Sequence, residues 1–115
     1  EVEVIKFQSS SVVPSGANYC SLLFRVHVNY RLDEESAVKS TSLIVKTPLV
    51  SGQIKQFLER AGVYEAECVV YNEILPKMYK LKNLQCTAKS FFCPLEKSLV
   101  LEDLKLSGFL MADRL

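Results

Sequence analysis

The segment from Leu22 to Tyr30 shows the clearest periodic pattern in the sequence, an alternation of apolar and polar side chains. One set of alternating positions is mainly apolar: Phe24, Val26, Val28 and Tyr30. The other set is polar: Arg25, His27, Asn29 and Arg31. A period of two places successive side chains on opposite faces of an extended strand. The chain is therefore predicted to contain a β-sheet.

Shorter patterns on either side predict two more strands. Val2–Phe7 is the first, and it precedes a loop, Ser9–Asn18, that is rich in Ser, Pro and Gly. Arg31–Ser40 is polar and acidic, as is typical of a hairpin loop. Thr41–Thr47 is predicted as the third strand, and it stops at Pro48 because proline cannot donate a hydrogen bond to a neighbouring strand.

The second half of the sequence changes period. Two helices and then two strands are predicted: Gln53–Arg60, Val63–Leu75, Ser90–Cys93 and Ser98–Leu101. Pro76 is expected to end the longer helix. The order β-β-β-α-α-β-β predicts an α+β fold, a five-stranded, mainly antiparallel sheet with one major helix packed on it and the helices on one side.

Composition argues against several classes of partner. The 115 residues suit one domain, and the balance of 14 basic against 13 acidic side chains gives no reason to expect nucleic acid. No apolar run approaches the roughly 20 residues that cross a bilayer, so no membrane partner is expected. The chain begins at Glu1 without a signal-peptide pattern or an initiator Met, so we expect a cytoplasmic protein with further residues upstream.

The sequence has four cysteines and one histidine: Cys20, Cys68, Cys86, Cys93 and His27. They form no CxxC pair and no Cys/His cluster, so no metal site is predicted within the chain. The even number leaves disulfides open, although scattered cysteines without a signal peptide are typical of reduced cytosolic thiols.

The loop Gly16–Leu23 follows the spacing of the glycine-rich phosphate loop of kinases, GxGxxGxV, with Asn18 and Ser21 in place of the second and third glycines. Small residues let a backbone approach phosphates, and Asn tolerates left-handed geometry better than other non-glycine residues. The alternative interpretation is an ordinary hairpin turn.

Lys46 ends the third predicted strand in Leu43-Ile44-Val45-Lys46, where kinases place a lysine that holds the α- and β-phosphates of ATP. Strand alternation puts Ile44 on the same face, where it would lie over the adenine. The alternative is a lysine that extends from a strand end into solvent.

Glu67 falls within the apolar side of the second predicted helix. At about 100° per residue, the apolar arc contains Val63, Tyr64, Cys68, Val70, Tyr71, Ile74 and Leu75, with Glu67 in its middle. A carboxylate on a packed face is costly unless it is paired. We therefore predict that Glu67 points toward Lys46, the pairing that kinases use. The alternative is a glutamate that bends into solvent or pairs with a nearby arginine.

Leu99–Leu104 is predicted as a buried strand that runs into two carboxylates, Glu102 and Asp103. As part of a kinase, it would be the last strand of the small lobe and the hinge whose backbone meets the adenine. The alternative is an edge strand that enters a solvated turn.

Five segments together resemble the ecdysteroid kinase-like family: Gly16-x-Asn18-Tyr19-x-Ser21, Val45-Lys46-Thr47, Tyr64-x-x-Glu67-x-x-x-Tyr71-x-x-x-Leu75-Pro76, Leu101-Glu102-Asp103-Leu104 and Gly108-Phe109-x-Met111-Ala112-Asp113-Arg114. The resemblance extends from about Val2 to Leu115. This family belongs to the choline kinase and aminoglycoside phosphotransferase group, which has a protein-kinase-like fold.

The resemblance implies transfer of the ATP γ-phosphate to a hydroxyl of a small molecule, with an ecdysteroid as the family's namesake substrate. Lys46 and Glu67 are the implied catalytic pair. The implied nucleotide-binding set is Gly16, Asn18, Tyr19, Ser21, Leu23, Ile44, Lys46, Leu101, Glu102, Asp103 and Leu104.

Residues 1–101 are predicted to be the ATP-binding amino-terminal lobe, and 102–115 the hinge and the start of the carboxy-terminal lobe. The family's catalytic loop contains a histidine, and none follows His27. That loop, the Mg²⁺ ligands and most of the acceptor pocket are therefore expected downstream, in a C-lobe of the same polypeptide, and residues 1–115 alone are expected to be inactive. The alternative function is a non-catalytic kinase-like α+β domain that binds a partner protein.

Overall fold

The computed structural model describes residues 2–12, 20–83 and 85–110. Five strands lie within them: β1 (Glu3–Ser11), β2 (Leu22–Arg31), β3 (Lys39–Thr47), β4 (Ser90–Phe91) and β5 (Leu99–Glu102). They form one sheet in the order β1-β2-β3-β5-β4, and every neighbouring pair is antiparallel. The predicted α+β architecture is confirmed.

The helical segments are α1 (Gln53–Arg60), α2 (Val63–Val69), a π turn (Val70–Ile74), α3 (Leu75–Lys82) and a 3₁₀ turn (Leu104–Ser107). The helical region from α2 to α3 lies on one face of the sheet, because α2 contacts Lys46 of β3 and the π turn is hydrogen-bonded to Ser90 of β4. Within the described residues, no helix has both the length and the apolar character needed to span a membrane.

The strand register defines the two faces of the sheet. Lys46 of β3 lies opposite Leu23 of β2 and Leu99 of β5, and Ile44 lies opposite Arg25 and Leu101. Directly opposed residues share a face, so these side chains belong to the face that carries the helices, here called the helix face. The opposite face, here called the open face, carries apolar side chains on all five strands: Phe7, Phe24, Val26, Val28, Tyr30, Leu43, Val45, Phe91 and Val100.

The first strand is longer than the sequence predicted. Residues Ser9–Ser11, expected to begin a loop, instead pair with Phe24–Val26 of β2. Their composition favours a turn, but β1 is an edge strand with one side open to water, where serine side chains are readily accommodated. The ladder with a strong neighbouring strand therefore overrides local propensity.

Pro76 does not end the helix, contrary to prediction. It is the second residue of α3, near a helix start, where a backbone N–H is not required. The preceding π turn makes this possible, because π turns interrupt the regular i to i−4 ladder. The helical region consequently extends to Lys82, where Asn83 in a left-handed conformation ends it.

The apolar arc predicted for the second helix does not coincide with the side of the helix that packs. Val63, Val70 and Ile74 are exposed, whereas Tyr64 is buried and Cys68 and Tyr71 are partly buried. Glu67 therefore lies at the edge of the packed side and not in its middle. The predicted arc includes most of the apolar residues of this helix as if they were all packed. The buried apolar core of the described residues is in fact small: Leu58, Tyr64, Leu99 and Leu101.

The last strand is an interior strand of the sheet and not an edge strand. β5 lies between β3 and β4, with Leu99 and Leu101 buried. It includes Glu102, which pairs with Leu43 of β3.

Candidate functional site

Lys46 and Glu67 form an ion pair between Nζ and Oε1 on the helix face of the sheet. Their side chains are 26% and 28% exposed, so the pair is accessible from solvent. The predicted contact is thus confirmed for a strand lysine and a helix glutamate 21 positions apart. The role of the pair in phosphate binding stays a prediction.

Tyr64 fixes the position of α2, and with it the position of Glu67 one turn later. Its ring is buried, its hydroxyl donates to the carbonyl oxygen of Cys20 at 2.9 Å, and it accepts from the backbone N–H of Leu49 at 3.4 Å. One hydroxyl therefore ties the helix to the segment before β2 and to the segment after β3. The sequence placed Tyr64 on the packed side but gave no sign of these polar contacts.

Cys68 adds a second anchor for the same helix. Its thiol donates to the carbonyl oxygen of Ser98, just before β5, at an S···O distance of 3.7 Å. Burial raises the pKa of this thiol, and the carboxylate of Glu67 adds to the effect. A thiol with a raised pKa is a poor nucleophile at neutral pH, so its role here is in packing. All four cysteines are free thiols.

Glu65 has a different environment from Glu67. It pairs with Lys97, two residues before β5, at 2.9 Å in an exposed contact. The hydrogen bond from Lys97 lowers the pKa of Glu65. The two carboxylates of α2 thus have different partners, Lys46 of β3 for Glu67 and Lys97 for Glu65.

A groove of about 510 Å³ opens on the helix face, and neither Lys46 nor Glu67 is part of its lining. Its lining consists of Val12, Arg25, Ile44, Ala88, Leu101, Glu102, Asp103, Leu104, Lys105, Phe109 and Leu110. This volume is within the range of small-molecule sites, and a mainly apolar lining with a few polar groups is typical of them. Lys46 lies two residues along β3 from Ile44, a separation of about 7 Å in a strand. The arrangement can hold a planar apolar group over Ile44 and place an attached anion near Lys46.

Asp103 closes one side of the groove through contacts that the sequence did not predict. Its side chain is 3% exposed and accepts hydrogen bonds from Arg25 Nε at 2.7 Å, Arg25 Nη2 at 3.3 Å, Ser42 Oγ at 2.6 Å and the backbone N–H of Lys105 at 3.2 Å. The guanidinium of Arg25 is the main reason that the pKa of Asp103 falls from its ordinary value of 3.8 to about 2. The interpretation of this segment as a solvated turn is therefore wrong.

The predicted nucleotide-binding residues divide into three groups. Five of them line the groove: Ile44, Leu101, Glu102, Asp103 and Leu104. Ser21, Leu23 and Lys46 lie outside the lining formed by the described residues, although Leu23 is directly opposite Lys46, and Lys46 is two residues along β3 from Ile44. Gly16, Asn18 and Tyr19 lie outside the described residues.

Six further groove residues are not among the nucleotide-binding residues predicted from the sequence: Val12, Arg25, Ala88, Lys105, Phe109 and Leu110. Arg25 was predicted to lie on the polar face of its strand, and this pattern was the only available signal. Within residues 2–12, 20–83 and 85–110, no three His, Cys, Asp or Glu side chains are grouped so that they could hold a metal ion.

The sequence model described as the ecdysteroid kinase-like family matches residues 15–115. No curated protein and no solved structure matches the chain.

Proposed function

Because this chain belongs to the ecdysteroid kinase-like family, we propose that it is the ATP-binding lobe of an enzyme that transfers the γ-phosphate of ATP to a hydroxyl of a small molecule. The family is kinase-like, which supports phosphotransfer as the class of reaction. The observation that carries the proposal is the Lys46–Glu67 pair, whose lysine lies two residues along β3 from Ile44, a lining residue of a groove of suitable size for a nucleotide base.

The groove residues fit the apolar part of ATP. Ile44 and Leu101 are opposed on adjacent strands and supply an apolar floor for the adenine ring. Glu102–Leu104, here called the hinge segment, lines the groove where β5 ends and offers backbone polar groups to the edge of the ring.

The charged pair fits the phosphate part. Lys46 carries the positive charge that kinases place against the α- and β-phosphates, and Glu67 holds its ammonium in position. A partly buried ion pair is weak evidence for stability, because the cost of removing its charges from water offsets their attraction. Its position two residues along β3 from Ile44, which lines the groove, supports a role in ligand positioning.

The remaining components are assigned to the C-lobe of the same polypeptide. Mg²⁺, when bound with ATP, neutralises charge on the transferring phosphoryl group. Its ligands, the catalytic base and the acceptor pocket are proposed to lie downstream of residue 115. An ecdysteroid hydroxyl is one candidate acceptor, and the cytoplasm is the proposed compartment.

The experiment is a phosphotransfer assay on the full-length polypeptide with Mg²⁺ and γ-labelled ATP. The acceptors are a panel of hydroxylated small molecules that includes an ecdysteroid, choline and an aminoglycoside, with a matched deoxy compound for each where one exists. We expect label to appear in at least one hydroxylated compound and not in its deoxy counterpart. Absence of both ATP binding and label transfer across the panel would contradict the proposal and favour a non-catalytic, protein-binding domain.

A further inference from the structure

Arg25 connects the sheet to the hinge segment. It lies on β2, opposite Ile44 on β3, and its guanidinium reaches Asp103 at the centre of the hinge segment. Ser42 of β3 bonds the same carboxylate. The middle residue of the hinge segment is thus held by two adjacent strands, while its neighbours Glu102 and Leu104 line the groove.

The geometry favours arginine specifically. Nε and Nη2 donate to the two different carboxylate oxygens, which is the fork arrangement that a guanidinium makes and an ammonium cannot. A two-point contact fixes the orientation of the carboxylate as well as its position. Asp103 Oδ1 also accepts from the backbone N–H of Lys105, so the orientation of the carboxylate is passed to the start of the 3₁₀ turn.

We propose that Arg25 is a positioning residue for the nucleotide, which holds the hinge segment against the sheet and so sets the width of the groove where the base binds. This inference rests on the proposed function. Arg25 contacts the hinge segment, and the inference assigns it no contact with the phosphates. Its loss should therefore weaken ATP binding and leave the rate of phosphate transfer unchanged. The side chain is 21% exposed and lines the groove, which places it between the hinge segment and the floor.

The test compares Arg25→Met and Arg25→Lys with matched changes at Arg31 in the full-length polypeptide. Arg31 is on the same strand and pairs with Glu3 at 2.6 Å in an exposed contact far from the groove. For Arg25→Met we expect KM for ATP to rise about tenfold, which is the effect typical of removing a hydrogen bond between charged groups. We expect kcat to stay within about twofold of the wild-type value. Arg25→Lys should recover part of the loss, and Arg31→Met and Arg31→Lys should change neither constant.

Amide hydrogen exchange gives a second readout on the same variants. Exchange at Lys105 should accelerate in Arg25→Met and less in Arg25→Lys, because this N–H is bonded to Asp103. Unchanged KM for ATP in a folded, active Arg25→Met protein would refute the inference. If Arg25→Met does not fold, unchanged KM in Arg25→Lys refutes it equally. A wild-type protein without ATP-dependent transfer would instead refute the proposed function, and the inference would fall with it.

Discussion

At the scale of single residues, two ion pairs connect separate elements of the chain. One of them could be predicted from the sequence and the other could not. Lys46–Glu67 was predictable because each partner has a local signal, a lysine that ends a strand and a carboxylate within an apolar helix side. Arg25–Asp103 was not, because the partners are 78 positions apart and Asp103 follows a strand like an ordinary turn residue. Whether a carboxylate is buried depends on which residues the fold places around it. Those residues can be distant in the sequence, as Arg25 is from Asp103.

The depressed pKa of Asp103 predicts a specific loss of stability in acid. The group has a pKa of about 2 in the folded chain against an ordinary 3.8, so its stabilising contribution is complete above that ordinary value and is lost as the pH falls toward 2. The shift corresponds to about 2 kcal/mol. We expect the melting temperature of the full-length wild type to fall more steeply between about pH 4 and pH 2 than that of Asp103→Asn, which cannot titrate. Parallel pH profiles for the two proteins would show that the carboxylate is not held as described.

At the scale of elements, local sequence patterns predicted whether a segment is a helix or a strand better than they predicted where it ends. β2 and α1 were placed correctly within one residue, since their periodicities are strong and their ends coincide with clear signals. The end of β1 depends on pairing with β2, and the continuation past Pro76 depends on a π turn. The sequence of β1 alone does not specify its pairing with β2, and the sequence around Pro76 alone does not specify a π turn. Neither end could therefore be predicted from local sequence.

The π turn has a structural consequence that can be tested. Leu75 donates its N–H to the carbonyl oxygen of Val70, five residues earlier, and not to that of Tyr71. The carbonyl oxygen of Tyr71 is thereby available to Ser90 Oγ, which donates to it at 2.9 Å and joins the helix to β4. We expect Ser90→Ala to lower the free energy of unfolding by about 1 kcal/mol.

The control for this prediction is Ser40→Ala. Ser40 also donates from its hydroxyl, to Asn29 Oδ1 at 2.8 Å, but on the exposed surface of the sheet. Solvent replaces that bond, so its loss should be small. Chemical unfolding of the full-length proteins measures both changes, and an equal effect of the two substitutions would contradict a stabilising role for the π turn contact.

At the scale of the whole molecule, the described residues bury few apolar side chains and leave many exposed. The open face of the sheet carries apolar side chains on all five strands, and Phe7 on it is 69% exposed. Exposed apolar surface of this extent is typical of an interaction surface or of a lobe that requires further covering. Both the groove and this face are accessible in the chain as described.

We therefore expect residues 1–115, expressed alone, to self-associate and to transfer no phosphate. Light scattering after size-exclusion chromatography should show species larger than the 13.0 kDa monomer, and label transfer should equal that of a control without protein. A monodisperse monomer would contradict the expected self-association. Acceptor-dependent transfer by the isolated residues would contradict the assignment of the catalytic base and the metal ligands to a C-lobe.

The most direct test of the central claim is kcat/KM for ATP in full-length Lys46→Met and Glu67→Gln, beside the controls Lys55→Met and Glu65→Gln. Lys55 and Glu65 also belong to ion pairs, with Glu59 at 3.7 Å and Lys97 at 2.9 Å, but lie away from the groove lining. We predict a loss of about 100-fold or more for Lys46→Met and about tenfold or more for Glu67→Gln, with melting temperatures close to wild type, and little change in the controls. Wild-type activity in Lys46→Met, or equal losses in Glu67→Gln and Glu65→Gln, would contradict the claim that the Lys46–Glu67 pair positions the phosphates.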